Sequence, residues 1–236
     1  MPIKLLKKLK VEDIFLNKHL KTNELFESVP EFLKELFNTS TYPWEILPKI
    51  KEYIVKIVPK GFKEIKKNVF IGENVKIYPN CTIEGTAIIG DGCELRPGAF
   101  LRGNVIIGPN CTIGNSTELK NCVLLYKVQV PHYNYVGDSI LGNYSHMGAG
   151  AICSNLKSDG KNIIIHGQTE INTGLRKLGA MLGDYADVGC GCVLNPGTII
   201  GKNTSVYPLT SLRGVYPKDC IVKTTNVVVK KNIPPQ

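Results

Sequence analysis

From residue 71 an aliphatic side chain returns every sixth position: Ile71, Ile77, Ile83, Ile89, Leu95, Leu101, Ile107, Ile113, Leu119 and Leu125 follow without a break. Four residues after each stands Val75, Cys81, Ala87, Cys93, Ala99, Val105, Cys111, Thr117, Val123 or Gln129, nearly all small. Directly after the aliphatic come turn-rich triplets such as Gly72-Glu-Asn74, Tyr78-Pro-Asn80, Gly90-Asp-Gly92, Arg96-Pro-Gly98 and Gly108-Pro-Asn110. The small residue and the next aliphatic are two apart, so both point inward from one short strand, and the triplet between strands is a corner. Ten consecutive matches predict a parallel β-helix.

The repeat assigns the cysteines. Cys81, Cys93 and Cys111, and Cys192 later, hold the small inward position, so they are core thiols rather than a zinc cluster, whose ligands would be spaced as Cys-x-x-Cys. The pattern resumes with Leu141 and Met147, then Ile165, Ile171, Leu182, Val188, Leu194, Ile200, Val206 and Leu212, with interruptions at about 131–134, 153–164 and 177–181. A solenoid extrudes extra residues as loops, and loops on a rigid scaffold carry binding groups.

Upstream the composition changes. Only Gly61 of the 23 glycines falls in the first 67 residues. Residues 23–37 and 44–58 place apolar side chains at helical spacing, with Pro43 suited to the first turn of the second helix and Pro59 and Gly61 to its end. The expected organisation is an α-helical N-terminal segment over 1–67 and a β-helix over 68–236. The basic stretch Lys4–Lys10 reads as a solvated face. No apolar run approaches the roughly 18 residues of a membrane span, and the start lacks the h-region of a secretory signal, so a cytoplasmic protein with reduced thiols is expected. The net charge of +9 suits an anionic partner. Nucleic acid is not expected, because no recognition-helix or RNA-binding aromatic pattern is present.

The run His132-Tyr-Asn-Tyr-Val-Gly-Asp-Ser-Ile-Leu-Gly142, with Met147-Gly-Ala-Gly-Ala-Ile-Cys-Ser-Asn155 and Asp159-Gly-Lys161, resembles the acetyltransferase half of bifunctional N-acetylglucosamine-1-phosphate uridyltransferase/glucosamine-1-phosphate acetyltransferases. Ser154-Asn-Leu-Lys157 is closer to archaeal-type sugar-phosphate nucleotidyltransferases with the same second domain, and Tyr42-Pro-Trp-Glu-Ile-Leu47 resembles their helical linker. The resemblance, over roughly 42–225, implies a left-handed β-helix, a homotrimer with sites between subunits, and acetyl-CoA as co-substrate without a metal. It also implies an amino-sugar phosphate as acceptor, in UDP-N-acetylglucosamine biosynthesis.

By that resemblance His132 is the catalytic base, which needs a pKa near neutrality to take the proton of the attacking amine. Glu118 would orient it. Arg102 and Lys120, 18 residues apart and so one coil apart at a corner, would hold the sugar phosphate with Tyr135 and Lys161, and Asn155 would contact the sugar or acetyl group. Amides of the Gly148-Ala149 stretch would stabilise the thioester oxyanion, and Cys190 falls where relatives contact coenzyme A. Two departures stand out. His146 replaces a substrate-contacting asparagine, and no nucleotidyltransferase phosphate loop occurs in these 236 residues. The competing readings are a non-catalytic trimeric scaffold for a separate nucleotidyltransferase and a zinc hydratase. The second would need His132, His146 and His166 to converge, which their spacing disfavours.

Overall fold

The computed structural model describes residues 20–231 except 58, 168, 225 and 226. The basic stretch Lys4–Lys10 lies outside the described residues. The chain is mainly β. Short parallel strands stack into three sheets of nine, seven and nine strands, so that successive strands of one coil go to three different sheets. The first face begins with Val69–Ile71 and Ala87–Ile89, the second with Lys76–Ile77 and Glu94–Leu95, and the third with Thr82–Glu84 and Phe100–Arg102. Neighbours lie one 18-residue coil apart, as in Ile71 beside Ile89 beside Ile107. This is the parallel β-helix that the hexapeptide period predicts. Its interior is the expected ladder of aliphatic and small residues, including Leu95, Leu101, Ile113, Leu119, Cys93 and Cys111. Cys122, Cys153, Cys192 and Cys220 join them, while Cys190 is exposed.

The period slips by one residue in each of two successive coils, first at a point where the sequence shows no break. Cys122, Val123 and Leu124 pair with Val105, Ile106 and Ile107, a step of 17. Leu124 and Cys122 therefore point inward, and Leu125 and Val123 belong to the outer apolar layer. On the next face of the same coil, Val128 rather than Gln129 is interior. The cause is a shortened corner. Gly103 and Asn104 both adopt positive φ, whereas the next two coils turn on a single such residue, Asn121 and then Asp138. The expected interruption at 131–134 is a consequence of this slip, not an extruded loop, since Val130 and His132 remain in register with Ile113 and Asn115.

The later interruptions merge into one insertion. Cys153 pairs directly with Leu194, so the coil leaves near Asn155 and returns near Leu178, with Leu178 N–H donating to the Asn155 carbonyl at 3.0 Å. Ile165 and Ile171 are not the coil residues that their spacing predicts. They face each other in an antiparallel hairpin within the insertion.

The N-terminal segment is shorter in its helices than the apolar spacing suggests. Helices cover Thr22–Leu25, Lys34–Asn38 and Ile50–Lys56, with 3-10 turns at Glu31–Leu33 and Pro43–Lys49. Proline explains the breaks: Pro30 precedes one turn, and Pro48 removes a donor inside another. Pro43 does open its helical turn, after Tyr42. Residues 63–66 form a strand rather than helix, antiparallel to Val69–Ile71. Leu25, Leu33, Leu36, Trp44, Ile46, Ile50 and Ile54 pack on outward side chains of the first face, among them Phe70, Ile88, Ile106, Val123, Ile140, Met181 and Ile199. Both surfaces of that face are therefore dry, and its strands are apolar at every position, as in Val105–Ile107 and Thr198–Ile200 with only a threonine exception.

Candidate active site

All the expected site residues except His146 and Lys161 gather at the two ends of the third face. At its far end, where the chain turns to the first face, Arg102, Glu118, Lys120, Tyr135 and Asn155 form one cluster. Register places Glu118 beside Tyr135 and Lys120 beside Gly137. Arg102 reaches Glu118 at 2.6 Å. Lys120 reaches the Asp138 carboxylate at 2.9 Å, with side chains only 20% and 6% exposed. Asn121 Nδ2 donates to the same carboxylate at 2.8 Å, and Asn155 Nδ2 donates both to it and, at 3.2 Å, to the Tyr135 hydroxyl. Burial, then the Glu118 and Asp138 carboxylates, push the Tyr135 phenol up, so it stays protonated and keeps its own hydrogen to donate.

Asp138 is the hub, and no motif assigns it a role although it lies inside the His132–Gly142 run. The signal available in the sequence is positional. Asp138 follows Asn121 at a one-residue corner whose positive φ favours asparagine and aspartate, which places a carboxylate beside a lysine one coil below. Gly137 leaves room for the cluster: a Cβ there would come within 2.5 Å of the Tyr135 hydroxyl and 2.8 Å of Asn155 Nδ2.

His132 stands at the other end of the third face, at its corner with the second. Its ring is exposed and has no hydrogen bond or ion pair among the described residues. Its carbonyl accepts from Gly150 N–H at 3.0 Å, and the Ala149 carbonyl accepts from Gly191 N–H at 2.8 Å. His132, Ala149 and Cys190 are therefore one column on three successive coils, spaced at about 4.8 Å per strand. Of the three amides from Gly148 to Gly150, Gly148 donates to Val188 and Gly150 to His132, so Ala149 N–H alone is uncommitted among the described residues. Gly148 itself is required because a Cβ would lie 2.6 Å from the Cys190 nitrogen.

Other expected contacts do not converge in the chain. Glu118 is engaged by Arg102 and has no bond to His132. His146 lies on the second face, its Nδ1 2.9 Å from Asp187, whose carboxyl is held below the usual range by that hydrogen bond. Lys161 is exposed on the insertion, its amide donating to Asp159 at 3.1 Å. His166 pairs with Glu170 in the hairpin at 2.9 Å, and no group of three metal-ligating side chains occurs among the described residues. No described helix is long and apolar enough to cross a membrane.

The domain family described as the GMPPB C-terminal domain matches residues 83–176, which include both ends of the third face. The bifunctional protein GlmU of Methanococcus maripaludis strain S2 is 35% identical over 206 residues, 84% of this chain and 50% of that protein. YaiX of Escherichia coli K12, named as an uncharacterized acetyltransferase, is 31% identical over 161 residues, 67% of this chain and 70% of that one. Among solved structures, the polySia-specific acetyltransferase NeuO shares 15% identity and a TM-score of 0.42 over 72% of this chain and 90% of its own, a likeness too slight to bear on function. The chain therefore belongs to the family of YaiX, and it is similar to the bifunctional GlmU proteins over about half of their length.

Proposed function

We propose that the chain is an acetyl-CoA-dependent N-acetyltransferase acting on an amino-sugar phosphate, glucosamine 1-phosphate or a related sugar, within amino-sugar and nucleotide-sugar synthesis. The observation that carries the reading is the column His132–Ala149–Cys190: an unencumbered imidazole one coil from an uncommitted backbone amide. In the reaction the neutral amine attacks the thioester carbonyl carbon. The new N–C bond forms as His132 takes the amine proton, and the C–S bond breaks to release coenzyme A as its thiol or thiolate. Ala149 N–H donates to the oxyanion of the tetrahedral intermediate. Cys190 and Gly148 border the coenzyme.

The acceptor lies along the third face. Tyr135 and Asn155 hydrogen-bond its ring, while Arg102, Lys120 and Lys161 supply positive charge. Glu118 and Asp138 fix the two corner cations before substrate arrives. The third face spans His132 and the cation cluster, so a homotrimer that places one subunit's cluster near another's His132 completes the site, and His146 contacts the acceptor from such a neighbour.

A second reading has an observation in its favour. Arg102 and Lys120 are already neutralised by Glu118 and Asp138, as in a β-helix retained as a non-catalytic scaffold. Incubating the protein with acetyl-CoA and a panel of amino-sugar phosphates, with product detection by mass spectrometry, separates the two. The enzyme reading expects an acetylated sugar and saturable coenzyme A binding by calorimetry. Absence of both assigns the scaffold.

A further inference from the structure

A carboxylate can only accept hydrogen bonds, and Asp138 takes them from three side chains on the coils before and after it. Lys120 Nζ donates at 2.9 Å, Asn121 Nδ2 at 2.8 Å and Asn155 Nδ2 at 2.5 Å, around a side chain only 6% exposed. This decides which way the Asn155 amide faces. Its carbonyl oxygen turned toward Asp138 would set acceptor against acceptor, so the NH2 group must point there. The second hydrogen of that NH2 goes to the Tyr135 hydroxyl oxygen at 3.2 Å. Both side-chain hydrogens of Asn155 are thereby committed. Its Oδ1 receives no donor among the described residues and is left as a pure acceptor. Tyr135 has the opposite sense. Its oxygen accepts from Asn155, burial keeps its hydrogen in place, and that hydrogen meets no acceptor among the described residues. One donor and one acceptor of fixed sense therefore stand side by side on the third face.

We propose that Asp138 is a positioning residue that makes the Tyr135–Asn155 pair read one ring hydroxyl of the acceptor in both senses. The hydroxyl oxygen accepts from the Tyr135 phenol, and its hydrogen is donated to Asn155 Oδ1. The inference rests on the acceptor site proposed above and adds the class of acceptor admitted, a sugar whose hydroxyl at this position is free. A deoxy sugar leaves a donor and an acceptor unpaired. An O-alkylated sugar leaves Oδ1 facing an oxygen that cannot donate. Sites built to bond a hydroxyl reject analogues lacking it far more strongly than apolar pockets reject a change of size. Asparagine at 138 removes the constraint, because it offers a carbonyl and an NH2 alike. Asn155 is then free to turn over, its Oδ1 takes the Tyr135 hydrogen, and the pair loses its sense. Lys120, released from its carboxylate, still faces the phosphate. Discrimination is lost rather than affinity for a sugar phosphate in general.

Calorimetric titration of the full chain with glucosamine 1-phosphate and its 3-deoxy, 4-deoxy and 6-deoxy analogues tests this, with acetyl transfer to each sugar followed separately. The parent chain should bind at least one deoxy analogue about tenfold or more weaker than the full sugar. In Asp138→Asn the same analogue should fall within about threefold of it. Asparagine suits the positive φ of position 138, and coenzyme A should bind this variant as it binds the parent chain. Tyr135→Phe removes the donor while keeping the ring, and it should level the same analogue with Asp138 intact. Equal discrimination by Asp138→Asn and the parent chain overturns the proposal. So does a parent chain that binds all four sugars alike, or none of them. Discriminating sugar binding without acetyl transfer would leave the positioning role standing and count against the acetyltransferase reading, so the two failures are separate.

Discussion

Asp184 ties the N-terminal segment to the coil through one buried carboxylate. It accepts from Glu27 N–H at 2.7 Å and from Asn143 N–H at 2.7 Å and Nδ2 at 3.0 Å, while its own N–H donates to the Leu25 carbonyl. Burial pushes this carboxyl above the ordinary range, against the downward pull of the Glu27 and Asn143 amides. A raised folded pKa means that the fold prefers the protonated form. The contribution is fully present below the unfolded pKa and is lost as pH rises through the folded value. Urea midpoints followed from about pH 4 to 7, the span above a free carboxyl, should fall in the parent chain relative to Asp184→Asn; a parent chain that gains on the variant over that span would contradict the assignment. Roles of this kind are only partly legible in the sequence. His132, Tyr135 and Asn155 are legible because a motif carries them. Asp138 and Asp184 are not, because what makes each a hub is the coil above or below it, and that juxtaposition depends on the number of residues in a corner.

Among the strands and helices, the inward ladder is plain in the sequence and the outward one is not. The hexapeptide period marks only residues that face the interior. On the first face the outward residue of most strands, as in Ile88, Ile106, Val123, Ile140 and Ile199, is also aliphatic and fully or almost fully buried. An aliphatic on the outer surface of one face only is the sign that this face is covered. Ile106→Ala should therefore cost about 2–5 kcal/mol in denaturant unfolding, comparable with Ile107→Ala on the inner surface. A cost near zero for Ile106→Ala would mean that the segment does not pack there. The helix lengths escape the apolar pattern for a related reason. Apolar spacing identifies the residues that become buried, but Pro30 and Pro48 decide how far any one helix can run. The merged insertion is hidden because Ile165 and Ile171 keep the right spacing by coincidence while pairing with each other across a hairpin.

For the molecule as a whole, the β-helix is a ruler. Its coils set the positions of His132, Ala149 and Cys190 at one corner and of Arg102, Lys120 and Asp138 at the other, and the third face lies between. The N-terminal segment closes the first face, and together with the insertion it walls a cavity beside the cation corner. Function then follows from corners, where the repeat releases side chains from packing. Everything proposed for the chemistry depends on His132 removing the amine proton during acetyl transfer. Steady-state kinetics of the parent chain and His132→Ala, with acetyl-CoA and the preferred amino sugar, put that dependence to the test. A fall in kcat of about 10²–10⁴ with coenzyme A affinity unchanged is expected. Equal turnover by the two proteins would remove His132 from the reaction.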